Sequence, residues 1–406
     1  MRRTIFWESS NMRLRIVDYV ANLGGGVRFC EQTVRALVPG RDLAVELVSH
    51  GAELRRYEEL LRSVDHVSFL DIPPANLPTF RGFSGFRGAN RLNRLLRLGK
   101  TDFHYDVPDL ALEDCDLVWF PWIHRHRIPR APGAKVIASL HDLIFLQLPE
   151  LFPGWGRASE EKTIGSWLAS NAKIVTSSHA TVSALVKIFK CEPGRLNVIP
   201  LSGHHVREGE STRKTSPAVG GSGYLLCPAN TTPHKNHEVL FAGVAAAGIE
   251  RPLVLTGGET DFWTSNGLRA IALRRRAREA GLSWGSSLVG LGYVDDAAYF
   301  DLLDGAWALV MPTLGEGGGS FPVLEAMLRG VPTVVSDIPV MREMVERVGG
   351  SVLWFDPRDP NALASQLREL ESDYPRYKKA AVEQISTIRM RSWVDVASDY
   401  AALMGL

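Results

Sequence analysis

Short apolar runs alternate with helical patterns along most of this 406-residue chain, and this alternation limits its fold more than any other feature. In the first half, strands are predicted at Leu14–Val20, Leu43–Val48, Asp116–Phe120, Lys135–Leu140 and Lys173–Thr176. Each strand leads into a turn or a helix. Strands that alternate with helices build a parallel sheet with helices on both of its faces.

The alternation stops once and then restarts. Residues 204–223 are rich in Gly, Ser, Thr and charged residues, which indicates a linker. Beyond it, strands are predicted at Tyr224–Cys227, Pro252–Thr256, Ser287–Leu291, Ala308–Met311 and Thr333–Val335. The sequence therefore predicts an α/β protein of two doubly wound, Rossmann-like domains, 1–203 and 224–385. Ligands are expected at the carboxyl ends of the strands and in a central cleft that the domains face.

Composition excludes several classes of protein. No segment approaches the roughly 20 apolar residues of a spanning helix, and the N-terminus lacks the apolar core of a signal peptide. The net charge of +1 is too small for a dedicated nucleic-acid binder. The four cysteines, which we expect to be reduced thiols, show no metal-type spacing (Cys30, Cys115, Cys191 and Cys227). A cytoplasmic location is the expectation.

A glycine-rich turn, Gly24-Gly25-Gly26, follows the first predicted strand and precedes a helix. Such a turn lets backbone N–H groups approach an anion at a helix N-terminus. It is also what a tight strand–helix turn requires. A dinucleotide fingerprint fits only partly, because Phe29 occupies the third glycine position. Anion binding, a structural turn and, more distantly, a dehydrogenase all remain open here.

The segment Ala229–His237 follows the first strand of the second half and leads into a helix predicted over His237–Ala247. Thr232 is predicted to cap a helix that starts at Pro233, which places Lys235 in its first turn. A cation there opposes the helix dipole unless a phosphate shares the site. The alternative is a solvated lysine on an exposed turn.

The segment Pro312–Met327 carries the most chemistry. An apolar strand leads into three glycines and a helix expected to start at Pro322. Glu316 falls in the loop and Glu325 in the first turns of the helix. A capping role for Glu325 would need Ser or Thr three residues earlier, but Ser320 is five away. A carboxylate beside glycines and a helix terminus suits a ribose diol and phosphates.

These residues resemble the signature of family-four retaining glycosyltransferases, which have the GT-B fold, and in particular a mannosyltransferase-like branch. The likeness continues through further segments of the second half, which are Leu253–Gly257, Leu288–Val294, Ala308–Pro312, Val335–Pro339 and Glu343. It is weaker in the first half, at Gly24–Gly26, Ser139–Asp142 and Thr176–Ser178. The resemblance implies a nucleotide-sugar donor bound by the C-terminal domain and an acceptor bound by the N-terminal domain. It also implies that a final helix within 386–406 crosses back to the first domain.

The resemblance assigns roles residue by residue. Lys235 matches the lysine on the donor diphosphate, Glu325 the glutamate on the ribose, and Glu316 the glutamate on the donor sugar. His141 matches a histidine that faces the sugar and, with Glu316, is a candidate catalytic residue. The remaining candidate donor contacts are Gly24, Gly25, Gly26, Asn230, Tyr293, Val294, Gly318, Gly319, Ser320 and Phe321.

Two positions depart from the family pattern. Eight residues separate Glu316 from Glu325, where the family has seven, so the glycine loop carries one insertion. Asn230 stands where the family often has an arginine. Neutralisation of the diphosphate would then depend on Lys235, backbone N–H groups and a cation such as Arg28.

The sequence says less about metals and the acceptor. Asp114-Cys115-Asp116 spells a metal-binding triplet, but it precedes a strand and is predicted to be a strand-entry turn. The acidic pair Asp295-Asp296 is predicted to start a helix. The basic stretch 81–100 suits either an anionic membrane surface beside a lipid-linked acceptor or a solvated helix or loop. Two runs after a predicted strand, Trp119–Trp122 and His124–Arg127, suit either a sugar platform or ordinary packing.

Together these observations favour a metal-independent, retaining glycosyltransferase without a cofactor, acting in the cytoplasm or at the inner face of the membrane. Its expected donor is a GDP-sugar, with UDP-sugars also compatible, and mannose is favoured among hexoses and deoxyhexoses. The acceptor is expected to be a saccharide or a lipid-linked saccharide. The alternatives are a GT-B nucleotide-sugar epimerase or hydrolase, and a catalytically silent GT-B homologue that acts as a binding subunit.

Overall fold

The computed structural model describes residues 12–20, 25–76, 79–81, 100–102, 104–130, 133–152, 157–203 and 223–406. Gly24, most of the basic stretch 81–100 and most of the linker 204–223 lie outside the described residues. The chain divides into two units, Met1–Ser202 with Arg391–Leu406, and Gly203–Met390.

The first unit is built on a parallel sheet of seven strands in the order β3-β2-β1-β6-β7-β8-β9. These strands are β1 (Met12–Val17), β2 (Leu43–Ser49), β3 (Val67–Asp71), β6 (Leu117–Phe120), β7 (Lys135–Ser139), β8 (Lys173–Thr176) and β9 (Leu196–Val198). A separate antiparallel pair consists of β4 (Thr79–Arg81) and β5 (Lys100–Asp102). The helices are α1 (Gly25–Leu37), α2 (Gly51–Leu61), α3 (Ile144–Gln147), α4 (Arg157–Ala169) and α5 (His179–Phe189).

Strands of this sheet are apolar on both faces because helices cover both. In β6, for example, Val118, Trp119 and Phe120 are completely buried. Near-continuous apolar runs are typical of parallel sheets, in contrast to the polar–apolar alternation of a sheet with one wet face. The core of the unit therefore lies directly against the central strands.

The last helix of the chain, α13 (Trp393–Met404), packs in the first unit. The Tyr400 hydroxyl lies 2.9 Å from Ser139 Oγ, and Lys135 Nζ donates to the Met404 carbonyl at 3.2 Å. Ser392 and Asp395 form a capping box that starts the helix. The return to this unit occurs at Arg391, five residues later than the sequence-based boundary of 386.

The second unit contains a parallel sheet of six strands in the order β12-β11-β10-β13-β14-β15. Its strands are β10 (Tyr224–Pro228), β11 (Leu253–Thr256), β12 (Leu288–Gly290), β13 (Ala306–Met311), β14 (Thr333–Ser336) and β15 (Leu353–Phe355). Its helices are α6 (His237–Ala247), α7 (Leu268–Glu279), α8 (Asp296–Gly305), α9 (Phe321–Leu328), α10 (Pro339–Val348), α11 (Pro360–Ser372) and α12 (Tyr374–Glu383). Gly203 belongs here because it packs against Leu324 and Met390.

Each sheet reverses its strand order at one point. In the first unit β1 pairs with both β2 and β6, and in the second β10 pairs with both β11 and β13. Loops leaving such neighbouring strands diverge to opposite faces and open a crevice at the carboxyl edge of the sheet. Two parallel-sheet, Rossmann-like domains confirm the predicted fold class, and these two edges are where functional groups are expected.

Among the residues that the structure describes, no helix combines the length and the apolar content that crossing a bilayer requires. The four cysteines are not joined in disulfides.

Candidate functional site

The candidate site of the second unit lies where the loops that follow β10 and β13 meet. The His234 carbonyl accepts hydrogen bonds from Leu314 N at 2.7 Å and from Thr313 Oγ1 at 3.2 Å. These bonds tie the turn that contains Lys235 to the loop that contains Glu316. The two sequence motifs are therefore neighbours at the strand-order reversal of this sheet.

Lys235 and Glu316 form an ion pair across these loops. Lys235 Nζ lies 2.5 Å from Glu316 Oε1, and the two side chains are 18% and 11% exposed. An ammonium group has three donors, so an acceptor besides Glu316 can share Lys235. The partial exposure of the pair leaves it open to exchange with a solute anion.

The turn around Lys235 differs from its prediction. Pro233–Lys235 forms a single 3-10 turn, and the Thr232 side chain does not cap it. Instead the Thr232 hydroxyl donates to Asn230 Oδ1 at 2.6 Å. The chain then reverses at Asn236, whose φ is 58°, before α6 begins at His237. Pro233 is thus the first helical residue, as predicted, but its helix is a single 3-10 turn that the left-handed Asn236 separates from α6.

Asn236 and Asn230 fix the two ends of this turn. The Asn236 amide donates to the carbonyls of Pro312 and Pro357 at 2.9 and 2.7 Å. Asn230 Oδ1 accepts from Thr232 N at 3.2 Å, which is an Asx turn. Where the family often has an arginine, Asn230 thus shapes the loop and adds no charge.

The glycine loop before α9 depends on Gly319, whose φ is +105°. A Cβ at this position would come within 2.8 Å of Met344 Cγ and closer still to the sulfur. Ser320 N lies 3.1 Å from that sulfur, and the Ser320 side chain does not cap α9. The helix begins at Phe321, one residue before the predicted Pro322. Gly318 and Ser320 are buried in this loop.

Glu325 is buried, with 3% of its surface exposed, and it does not cap its own helix. Its Oε2 accepts a hydrogen bond from the Tyr299 hydroxyl at 2.7 Å. Tyr299 lies on α8, a different helix, and is itself buried. This partner could not be predicted from the sequence, because nothing in the local pattern of α8 connects Tyr299 with Glu325.

Tyr293 and Val294 follow β12 at the same sheet edge. Tyr293 is 60% exposed and Val294 is half-buried. Gly257 N donates to the Gly292 carbonyl at 2.8 Å, which joins this loop to the loop after β11. Gly257 has a φ of +124°, and a Cβ there would lie 2.9 Å from the backbone of Asn230. The loops that follow β10, β11, β12 and β13 thus meet at the carboxyl edge of the second sheet.

In the first unit, His141 follows β7 and is buried. Its Nε2 donates to the Pro121 carbonyl at 3.0 Å, and its Nδ1 is hydrogen-bonded to the Ser177 hydroxyl. Burial lowers the pKa of His141 to about 4, despite the Pro121 bond, and the charge of His124 adds to this. His141 is therefore a neutral imidazole with its proton on Nε2.

Gly25 and Gly26 are the first two residues of α1, and Gly25 is exposed. One turn later, Phe29 packs edge-on against the His141 ring at a centroid distance of 4.6 Å. The glycine turn and His141 thus meet the same sheet edge in this unit. Gly24 lies outside the described part of the chain.

A buried ionic cluster next to His141 was not predicted. Glu160 from α4 bonds to His124 Nδ1 at 2.7 Å and to His104 Nε2 at 3.1 Å. His124 Nε2 lies 2.9 Å from the Asp142 carbonyl. Since a carbonyl and a carboxylate both accept, each nitrogen of His124 donates, which makes it an imidazolium.

The electrostatics of this cluster agree with its geometry. Burial by itself would lower the pKa of His124, but the hydrogen bond to Glu160 and the charges of Asp142 and Glu160 raise it to about 9. Burial would raise the pKa of Glu160, but bonds to His104 and His124 hold it well below its usual range. An ion pair is thus stable here at neutral pH.

Two sequence alternatives are decided by the structure. Asp116 accepts a hydrogen bond from Arg13 N at 2.8 Å at the entry to β6, as predicted for a strand-entry turn. Within the described ranges, no three His, Cys, Asp or Glu side chains are grouped to hold a metal ion. Trp119, Phe120 and His126 are completely buried and His124 is 3% exposed, so among the aromatic side chains of the two runs only Trp122 is accessible to a ligand.

Comparison with known proteins supports the class that this site indicates. Residues 223–373, which include β10 to α11 and every candidate residue of the second unit, match the family model described as Glycosyl transferases group 1. The chain is 26% identical to O-antigen chain mannosyltransferase B of Escherichia coli over 277 residues, 66% of this chain and 68% of that protein. It is 25% identical to O-antigen chain mannosyltransferase RfbU of Salmonella typhimurium over 198 residues, 49% of this chain and 50% of that protein.

Solved structures share the fold over almost the whole chain. Anabaena HepE in complex with UDP-glucose has a TM-score of 0.67 at 16% identity and covers 97% of this chain and 100% of its own. WaaG, a glycosyltransferase involved in lipopolysaccharide biosynthesis, has a TM-score of 0.62 at 13% identity and covers 97% and 99%. The fold is therefore GT-B. Residues 223–373 are a group 1 glycosyltransferase domain, and the chain resembles glycosyltransferases of the mannosyltransferase-type branch of family four.

Proposed function

We propose that this protein transfers a hexose or deoxyhexose, with mannose favoured, from a nucleotide-diphosphate sugar to a saccharide or lipid-linked acceptor during polysaccharide synthesis. The curated relatives are O-antigen mannosyltransferases by name, which supports mannose as the sugar, and we propose a GDP-sugar as its donor. The observation that carries the proposal is the meeting of Lys235, Glu316 and the Gly319 loop at the strand-order reversal of the second sheet.

In this proposal Lys235 binds the donor diphosphate. The departing nucleoside diphosphate gains negative charge, and preorganised donors that meet such charge usually contribute more to catalysis than any other single effect. The part-buried ammonium of Lys235 supplies one such donor, and the backbone N–H groups around Gly318 and Gly319 supply others. Asn230 adds no cation, so Lys235 carries a larger share of the neutralisation.

Glu325 is the proposed ribose ligand. Its carboxylate is buried and accepts the Tyr299 hydroxyl with Oε2. Carboxylate oxygens accept several hydrogen bonds each, so the group can also accept both hydroxyls of a ribose diol. Tyr299 then orients the carboxylate, and Glu316 contacts the donor sugar.

His141 is the proposed contact to the sugar from the first unit. Its ring is neutral, because burial lowers its pKa to about 4. A neutral ring adds no repulsion to the positive charge that develops on a sugar during glycosyl transfer. We further propose that the anomeric configuration is retained through same-face substitution, in which the leaving phosphate accepts the acceptor proton, and that no metal takes part. A lipid-linked acceptor would place the reaction at the cytoplasmic face of the membrane.

Thermal unfolding with GDP, UDP, dTDP, ADP and NAD, each with and without magnesium, tests the donor site. A ligand at about 100 times its dissociation constant adds about 2.7 kcal/mol to the free energy of unfolding. GDP is expected to stabilise the protein without magnesium, and Lys235→Ala or Glu325→Ala should abolish this. Lys379→Ala, which removes a 75% exposed lysine of the same unit, is the matched control. Stabilisation by NAD alone would refute the proposal.

Turnover distinguishes the remaining alternatives. Transfer of mannose from GDP-mannose to an acceptor, with the α-linkage seen by proton NMR, is expected and should persist in EDTA. An inverted product would refute retention. Consumption of the donor without an acceptor would indicate a hydrolase or epimerase, and nucleotide binding without any turnover would indicate a silent homologue.

A further inference from the structure

Trp122 lies at the strand-order reversal of the first sheet, in the loop that follows β6. The two residues before Pro121, Trp119 and Phe120, are completely buried, whereas Trp122 is only half-buried. Crevices at such reversals are where open α/β sheets bind ligands. Trp122 therefore places a large aromatic surface at the edge where a ligand of this unit is expected.

Histidines fix the backbone of this loop from both sides. His124 Nε2 donates to the Asp142 carbonyl at 2.9 Å, and in return His141 Nε2 donates to the Pro121 carbonyl at 3.0 Å. This reciprocal pair joins the loop after β6 to the loop after β7. On the other side, His126 Nδ1 donates to the Trp122 carbonyl at 2.9 Å.

The Trp122 ring packs against two of these imidazoles. Its centroid is 5.1 Å from that of His141 and 5.5 Å from that of His124. Both nitrogens of His124 donate, to Glu160 and to Asp142, so this neighbour is a cation. A cation within about 6 Å of an indole stabilises the position of the ring. The rotamer of Trp122 is thus held by neighbours that are themselves hydrogen-bonded.

We propose that Trp122 is a stacking residue for a saccharide and that the His124–Glu160 pair is the positioning element that holds Trp122 and His141 in place. This assignment rests on the proposed glycosyltransferase function and adds residues to its acceptor side. His124 and Glu160 act through Trp122 and His141 and do not themselves touch the sugar.

The chemistry of the site selects a neutral polar ligand. The charges of His124 and Glu160 are buried, at 3% and 1% exposed, and they compensate each other. His141 is neutral. The carboxylate of Asp142, 3.7 Å from His124 Nε2, adds a negative charge, so the indole face of Trp122 lies beside groups that do not attract a phosphate or a carboxylate. A sugar ring, with an apolar C–H face and hydroxyls at its rim, matches an amphipathic indole.

Saturation-transfer NMR on the full chain tests the contact without requiring turnover. The probes are methyl α-mannoside, α-linked mannobiose and N,N′-diacetylchitobiose. At least one should bind to the native protein, and Trp122→Ala should weaken it about tenfold or more, as the loss of an aromatic stacking contact does. Trp122→Phe keeps an aromatic face and should retain affinity within about threefold. Trp354→Ala, which removes a half-buried tryptophan of the other unit, should change nothing.

The positioning role needs a variant that still folds. Removing one partner of a buried ion pair is strongly destabilising, so His124→Gln and Glu160→Gln are made together, which replaces the ion pair by two amides. The double variant should retain GDP affinity but bind the saccharide several-fold more weakly, and the His141 ring should titrate at a higher pH in NMR because a neighbouring cation is gone. Unchanged saccharide affinity in this variant would overturn the positioning role.

Failure of this inference differs from failure of the proposed function. Absence of saccharide binding to the native protein, or full binding by Trp122→Ala, overturns the stacking assignment while GDP binding stands. Loss of GDP binding in Trp122→Ala would also overturn it, because the effect would then not be specific to the saccharide. A native protein that binds no nucleoside diphosphate refutes the proposed function itself.

Discussion

Replacing Glu316 by glutamine separates the affinity for the nucleotide from the chemistry of the sugar. Glu316 lies 2.5 Å from Lys235 Nζ, so a phosphate on the other side of that ammonium would lie about 6 Å from the carboxylate. Coulomb repulsion between unit charges at about 6 Å is about 0.7 kcal/mol in water and about 3 kcal/mol at an effective dielectric constant of 20. The pair is only slightly exposed, which favours the upper part of that range.

Glu316→Gln should therefore bind free GDP between about threefold and a hundredfold more tightly than the native protein. The same variant should transfer sugar from GDP-mannose more slowly, because the carboxylate that we propose contacts the sugar is lost. Isothermal titration calorimetry gives the first quantity and initial rates give the second. Glu346→Gln, at an exposed position of α10, is the control. Unchanged or weaker GDP binding by Glu316→Gln would refute the argument that the carboxylate competes with phosphate for Lys235.

Three further perturbations probe the loop, the ribose contact and the buried pair. Gly319→Ala should lower the melting temperature and reduce the free energy of unfolding by about 2 kcal/mol or more, because a positive φ and a steric clash coincide there. Gly349→Ala, at a position with a positive φ but open space, should reduce the free energy of unfolding by about 1 kcal/mol. Glu325→Gln should weaken GDP about tenfold or more but leave 2′,3′-dideoxy-GDP unaffected, and equal weakening of both in a titration would exclude a ribose contact. Since the pKa of His124 is about 9 in the fold and 6.5 when unfolded, its contribution to stability is complete below pH 6.5 and is lost as the pH rises through 9. Urea midpoints should fall across that interval, and they should fall less when His124 and Glu160 are both replaced by glutamine.

Local patterns predicted the parts of the structure that local chemistry determines. The helix predicted over His237–Ala247 has those bounds, because Gly248 follows it in the left-handed conformation that commonly ends a helix. The strand-entry turn at Asp116 and the helix start at Asp295, whose side chain accepts from Ala298 N, were likewise visible in sequence. In each case the signal lies within a few residues of the feature.

The partners of the site residues could not be predicted in this way. Tyr299 reaches Glu325 from another helix, and Glu160 reaches His124 from across the unit. Such pairs depend on which strands are neighbours, and one sequence does not give the strand order. The type of helix at Lys235 could not be predicted for a different reason, because Pro233 suits the start of a 3-10 turn as well as that of an α-helix.

The ion pairs Lys235–Glu316 and His124–Glu160 differ in exposure and in hydrogen bonding, and this difference suits them to different roles. Lys235 and Glu316 retain some exposure, 18% and 11%, and join two loops, so a diphosphate can reach the ammonium and water can reach the carboxylate that it displaces. His124 and Glu160 are 3% and 1% exposed and have hydrogen-bond partners on every ring nitrogen and both carboxylate oxygens. Replacing either partner by a ligand would leave a buried charge without its counter-ion, at a cost of several kcal/mol. A ligand can therefore replace one partner of the Lys235–Glu316 pair in the second unit. The His124–Glu160 pair in the first unit stays intact and keeps its aromatic neighbours in one arrangement, with or without a ligand.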